Sequence, residues 1–175
     1  MAHALTAVRL LLVLPTTVAF ARPGLLDPRI LFVLLWSAIA TDVGDGKVAR
    51  MTGTASARGQ LFDHATDFVF VTAGLTGAAL AGVVTPILPV LIIIAFSQYV
   101  LDAYWKGRQK QLRMSAIGRW NGILYFVPLV VISVSRLASA ESVAALLTLA
   151  AGAAGYALAV STVVSVIDRV MAPVR

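Results

Sequence analysis

Apolar residues along this chain come in six long blocks separated by short polar breaks, at roughly residues 5–21, 30–51, 59–82, 86–105, 118–135 and 142–167. Each block approaches the ~20 residues that a helix needs to cross a bilayer. All exceed the roughly 9–11 residues of a barrel strand, and backbone polar groups in lipid must find partners within the segment. The pattern therefore predicts an all-α integral membrane protein with six transmembrane helices, forming one membrane domain over residues 1–175. The breaks carry turn-forming residues. Arg22-Pro23-Gly24 and Asp27-Pro28 close the first hairpin, Thr52-Gly53-Thr54-Ala55-Ser56 opens the second, and Gly82 to Pro86 the third. The fourth break, Lys106 to Arg119, is polar and basic, and the fifth, Arg136 to Glu141, is short. Ala19-Phe20-Ala21 resembles a signal-peptidase site, but Pro15 interrupts the apolar run and only His3 precedes Arg9 at its start. The first block is accordingly expected to stay in place as a helix.

Composition agrees with this class. Charged residues make up 13% of the chain and hydrophobic ones 59%, against about 25% charged in ordinary soluble domains. The distribution of charge sets an orientation. Of the 14 basic residues, Arg22, Arg29 and Arg136 fall after odd-numbered blocks, and the other 11 fall on the opposite side. By the positive-inside rule both termini and the loops after blocks two and four face the cytoplasm; a multi-pass protein of the plasma (inner) membrane is the expected location. Topology and anionic headgroups account for the net charge of +6 without nucleic acid. Cysteine is absent, so disulfides and thiolate metal sites are excluded.

Four of the eight acidic residues interrupt this apolar background in one pattern: Asp42-x-x-Asp45-Gly46-x-x-Ala49-Arg50, eight residues, then Gly59-x-x-x-Asp63-x-x-x-Asp67. A carboxylate at the centre of a membrane helix costs about 2.5–3.5 kcal/mol, so it normally marks a function. Asp42 lies about 18 Å along its helix, which leaves it roughly 12 Å from the cytoplasmic edge of the core. Asp63 and Asp67 enter the next helix from the same side, so the two pairs can meet at one depth. Asp42, Asp45, Gly46 and Ala49 share one helical stripe, and Gly59, Asp63 and Asp67 share another. Four converging carboxylates do not all stay ionised without cations. Hard divalent ions resolve this: Mg²⁺ suits oxygen ligands and keeps positions open for phosphate, and a pair of ions can clamp a displacement at phosphorus. Arg50 is placed to bind a phosphate. A salt-bridged helix pair is a poorer account, because Arg50 and Arg58 cannot neutralise four acids. A proton or cation pathway explains intramembrane Asp but not the Gly-x-x-Ala-Arg spacing.

At every defined position, including the eight-residue gap, the string from Asp42 to Asp67 resembles the signature of the CDP-alcohol phosphatidyltransferase family. That resemblance implies transfer of a substituted phosphoryl group from a CDP-alcohol to a second alcohol, with release of CMP. It implies that Asp42, Asp45, Asp63 and Asp67 hold two Mg²⁺ ions (or Mn²⁺), and that Asp67 also deprotonates the acceptor hydroxyl. Gly46, Ala49, Arg50 and Ser56 would contact the CDP moiety. Many members begin with Asn-x-x-Thr-x-x-Arg; this chain has His3-x-x-Thr6-x-x-Arg9, so Thr6 and Arg9 match and His3 departs from the pattern, and Thr6 joins the expected CDP contacts. Homodimerisation is carried over from the family, and the small residues of helices three and six permit it.

The acceptor is less marked. In the CDP-diacylglycerol branch it is a small alcohol such as glycerol 3-phosphate, inositol phosphate or serine. The basic stretch from Lys106 to Arg119 lies on the same side as the acids and offers Arg119 and Arg113 as candidate acceptor contacts. Leu61-Phe62-Asp63-His64 instead resembles the aminoalcohol phosphotransferases, which use CDP-choline or CDP-ethanolamine and diacylglycerol. Asp102 with Gln98, Tyr99 and Tyr104, and Asn121 with Tyr125, are readings as cavity lining or as packing. From other classes, a non-catalytic transporter and a prenyltransferase remain. The latter needs a second acidic cluster, and Asp102, Glu141 and Asp168 are single.

Overall fold

A computed structural model of the chain describes residues 2–51, 57–106 and 116–171, and no strand occurs among them. The helices are α1 (Ala2–Ala21), α2 (Pro28–Met51), α3 (Ala57–Leu80), α4 (Ile87–Lys106), α5 (Ala116–Leu124), α6 (Phe126–Ser135) and α7 (Glu141–Met171). Each apolar block is helical, and one of them is divided. The block expected as a single fifth helix is broken at Tyr125 into α5 and α6. Pro128 explains the break: it has no N–H for the carbonyl of Leu124, and its ring crowds that carbonyl. Tyr125 keeps helical angles (φ −62°, ψ −21°), so the chain continues in the same general direction.

Two helical stretches, Ile117–Ser135 and Glu141–Met171, are long and apolar enough to cross a membrane, and Thr6–Ala21 and Ile87–Leu101 are shorter apolar helices. Helices α2 and α3 have 24 residues each, about 36 Å of helix, but their acidic and basic ends make them less apolar.

The turns follow from local chemistry. Asp27 caps α2 by accepting a hydrogen bond from the N–H of Arg29 at 2.7 Å, and Pro28 follows at the first helical position. Gly82 closes α3 with φ +74°. Its N–H bonds to the carbonyl of Ala79 and that of Val83 to Ala78, the paired closure that a left-handed residue after a helix allows.

Helix α1 packs along α3 and α2, α6 along α7, and α4 against α7 and α3. The core is apolar: Phe20 on α1, Leu31, Leu35 and Ala38 on α2, Phe70, Leu75 and Ala78 on α3, and Leu129 and Ile132 on α6 are all buried. Gly77 sets the distance between α1 and α3. A Cβ there would run into the carbonyl oxygen of Thr17 and come within 3.1 Å of the Cβ of Phe20. Arg136, just past α6, ties in the far end of α1. Its guanidinium donates to the carbonyls of Ala19 at 2.6 Å and Phe20 at 2.9 Å, and lies 5.7 Å from the Phe20 ring centroid. The last carbonyls of a helix have no partner within it, and a cation there also suits the helix dipole.

This geometry distinguishes two glycines of the same bundle. Gly77→Ala should lose roughly 1–3 kcal/mol through overpacking. Gly44→Ala, where nothing lies within 4 Å of an added Cβ, should be neutral or gain up to about 1 kcal/mol of helix propensity. Thermal denaturation in detergent measures both.

Candidate active site

Three buried stripes change character along their length, and the site lies where they do. On α2 the buried positions Leu31, Leu35 and Ala38 lead, four residues on, to Asp42. On α3 Val71, Leu75 and Ala78 are buried, and the same face carries Asp67 and Asp63 toward the helix start. On α1 the buried positions Phe20 and Thr16 lead back to Arg9 and Thr6. These spacings of three and four residues keep each set on one helix face. Arg9 meets Asp63 and Asp67 at one end, and Thr17 to Ala21 meet Gly77 at the other, so α1 and α3 run in the same direction.

The charged ends converge on a single nitrogen. Nη1 of Arg9 is 3.1 Å from Oδ1 of Asp42 and 3.4 Å from Oδ1 of Asp63, and it donates a hydrogen bond to Oδ1 of Asp67. The Arg9 side chain has no exposed surface, while those of Asp42, Asp63 and Asp67 are 33%, 26% and 23% exposed. The carboxylates are therefore open to a ligand on one side and closed by the guanidinium on the other. One oxygen from each of the three acids lies within 4.8 Å of the other two. Oxygens bound to one Mg²⁺ at about 2.1 Å lie at most about 4.2 Å apart. A displacement of several tenths of an ångström would bring all three within reach of one ion. The donors are all hard oxygens, and among the described side chains one cation faces three acids. On both counts the residues fit a divalent ion.

Of the other expected site residues, Thr6 is buried on α1 one turn from Arg9. Asp45, Gly46, Ala49 and Arg50 belong to α2, but their side chains lie outside the described residues, as does that of Asp102 on α4. Ser56 and Arg113 lie outside the described residues altogether. Arg119 is exposed in the first turns of α5, and among the described residues no ion pair joins it to the acids. Asn121 and Tyr125 hydrogen-bond to α7. Ser161 donates to Oδ1 of Asn121 at 2.7 Å, and the Tyr125 hydroxyl lies 2.8 Å from that of Thr162. Thr162 itself donates to the carbonyl of Leu158 at 2.6 Å, so Tyr125 is the donor of that pair. Near the same end of the bundle Phe68, next in sequence to Asp67, stacks on Phe96 of α4 with centroids 4.0 Å apart.

Arg9 counts among the basic residues that set topology and also falls on the Arg of the Thr6-x-x-Arg9 element, but neither assigns it a role at the acids; the structure puts it inside α1 at the centre of the cluster. Its spacing from Thr6 carries the signal, because residues three apart share a helix face.

Comparison with known families gives a match to CDP-alcohol phosphatidyltransferase over residues 1–167, nearly the whole chain. Comparisons with curated proteins and with solved structures gave no match.

The buried ion cluster has a direct consequence for stability. Removing one partner of a fully buried ion pair typically costs about 3–5 kcal/mol, and the carboxylates left behind here are partly exposed. Arg9→Gln should therefore be destabilised by less than that in chelator-treated detergent solution, and Arg9→Lys by less again. Denaturant-induced unfolding followed by tryptophan fluorescence measures the difference.

Proposed function

The chain belongs to the CDP-alcohol phosphatidyltransferase family, and from that membership we propose a phospholipid-synthesising membrane enzyme. Its donor is CDP-diacylglycerol and its acceptor a small alcohol, in the first place a phosphorylated one such as glycerol 3-phosphate. The observation that carries this reading is the convergence of Asp42, Asp63 and Asp67 from two helices onto one point.

In this reading Asp42, Asp45, Asp63 and Asp67 hold two divalent ions, with Mg²⁺ the first candidate. Such ions, when bound, neutralise the donor diphosphate and make its phosphorus more electrophilic. The chain's own residues supply the rest. Thr6, Gly46, Ala49, Arg50 and Ser56 hold the CDP moiety, and small residues beside the acids let the phosphates approach the backbone. Arg50 offers a fork of donors to a phosphate oxygen. The acceptor hydroxyl gives its proton to Asp67, its oxygen forms the new bond to phosphorus, and the bond from that phosphorus to CMP breaks. Arg119 and Arg113 receive the acceptor's own phosphate. The exposed side of the three carboxylates supports access from outside the bundle rather than from its interior.

The reading extends to the whole membrane domain: six spans, both termini and the active site on the cytoplasmic side of the plasma membrane. Charge asymmetry and the apolar blocks support the orientation. Homodimerisation rests on the family resemblance.

Purified protein with Mg²⁺ or Mn²⁺ and CDP-diacylglycerol should release CMP when one of glycerol 3-phosphate, inositol phosphate or serine is added. Turnover only with CDP-choline or CDP-ethanolamine plus diacylglycerol would assign the aminoalcohol branch, to which Phe62-Asp63-His64 bears a likeness. A transporter would release no CMP with any of them. Asp67→Asn should abolish turnover while keeping much of the nucleotide binding, and Asp42→Asn should weaken both; an active Asp67→Asn enzyme would remove the proposed base.

A further inference from the structure

We propose that Arg9 and a divalent cation compete for the same three carboxylates, so that Arg9 is a positioning residue that must withdraw when the ion binds. The proposal rests on the reading of Asp42, Asp63 and Asp67 as metal ligands and adds a residue that opposes the metal.

Geometry makes the competition unavoidable. A single nitrogen, Nη1 of Arg9, contacts Oδ1 of all three acids, so it occupies their point of convergence. The candidate ligand oxygens span no more than 4.8 Å. An ion about 2.1 Å from an oxygen of each acid would lie within that same small volume. A guanidinium nitrogen and a divalent ion cannot share it, both by overlap and by repulsion between like charges in a poorly screened setting.

The arrangement also supplies a way out. Arg9 reaches the acids from α1, while the acids stand on α2 and α3. Its side chain has several rotatable bonds, so Nη1 can leave by a change of rotamer while the helices stay packed. The acids then keep the positions that the guanidinium established. Arg9 thus lowers affinity for the ion and prevents the three like charges from splaying before it arrives.

The test is Mn²⁺ binding to the full chain in detergent after chelator treatment, read from the electron paramagnetic resonance signal of free Mn²⁺. Arg9→Gln should bind Mn²⁺ roughly tenfold more tightly than the parent chain, since a competing charge has been removed. Arg9→Lys keeps the competing charge and should stay within about threefold of the parent. An Arg9→Gln constant equal to or weaker than the parent's would overturn the competition while leaving the metal site intact. Failure of the parent chain itself to bind Mn²⁺ would overturn both the competition and the metal-site reading. A second measurement does not depend on Arg9→Gln folding. In ¹⁵N-arginine-labelled parent protein, the Arg9 Nε–Hε resonance, assigned by its loss in Arg9→Lys, should shift on titration with Mg²⁺. A resonance that stays in place while Mg²⁺ binds would reject the proposal.

Discussion

The contact of one buried guanidinium with three carboxylates on two other helices sets the register of this protein. Charges removed from water are tolerated only when they are paired and hydrogen-bonded. Arg9, with no exposed surface, must therefore meet Asp42, Asp63 and Asp67 at a single height. That requirement fixes how α1, α2 and α3 slide past one another at one end. At the other end Gly77 fixes how closely α1 and α3 approach, and Arg136 takes up the terminal carbonyls of α1. The same three helices supply the candidate site, so a displacement that weakened the packing would also disperse the ligands.

Polar contacts hold the second half of the bundle in a different way. Apolar side chains gain little by leaving lipid for another apolar surface, so helices in a membrane rely on close approach and on hydrogen bonds. Between α5 and α7 these are the Asn121–Ser161 bond and, from the break between α5 and α6, the Tyr125–Thr162 bond. Neutral amides and hydroxyls suffice here, and both contacts are formed within the chain. The acids of α2 and α3 differ in being charged, partly exposed and gathered on one point. This contrast separates a site from a packing device more clearly than polarity alone.

Much of this was legible in the sequence, because it depends on local spacing. The lengths of the apolar blocks locate the helices, and Asp27-Pro28 and the run from Gly82 to Pro86 mark breaks between them. The four-residue spacing of Asp63 and Asp67 placed both acids on one face. What was missed depended on contacts between distant residues. Arg9 is 54 and 58 residues from its partners on α3, and a count of basic residues by loop treats it as one more topological charge. Arg136 was read in the same way. The break at Tyr125 was within reach, since Pro128 removes a hydrogen bond to the preceding turn, but an apolar run of that length reads as continuous. The close approach at Gly77 leaves no one-dimensional trace beyond the presence of a glycine in a helix.

The central claim is the proposal that acids from α2 and α3 form one divalent-ion site where they converge on Arg9. Crystals grown with Mn²⁺ and measured near its absorption edge test it most directly. The account predicts anomalous density among Asp42, Asp63 and Asp67, with carboxylate oxygens from both helices at about 2.1 Å and the guanidinium of Arg9 moved aside. Ordered acids still held by Arg9, with no anomalous density among them at saturating Mn²⁺, would contradict it.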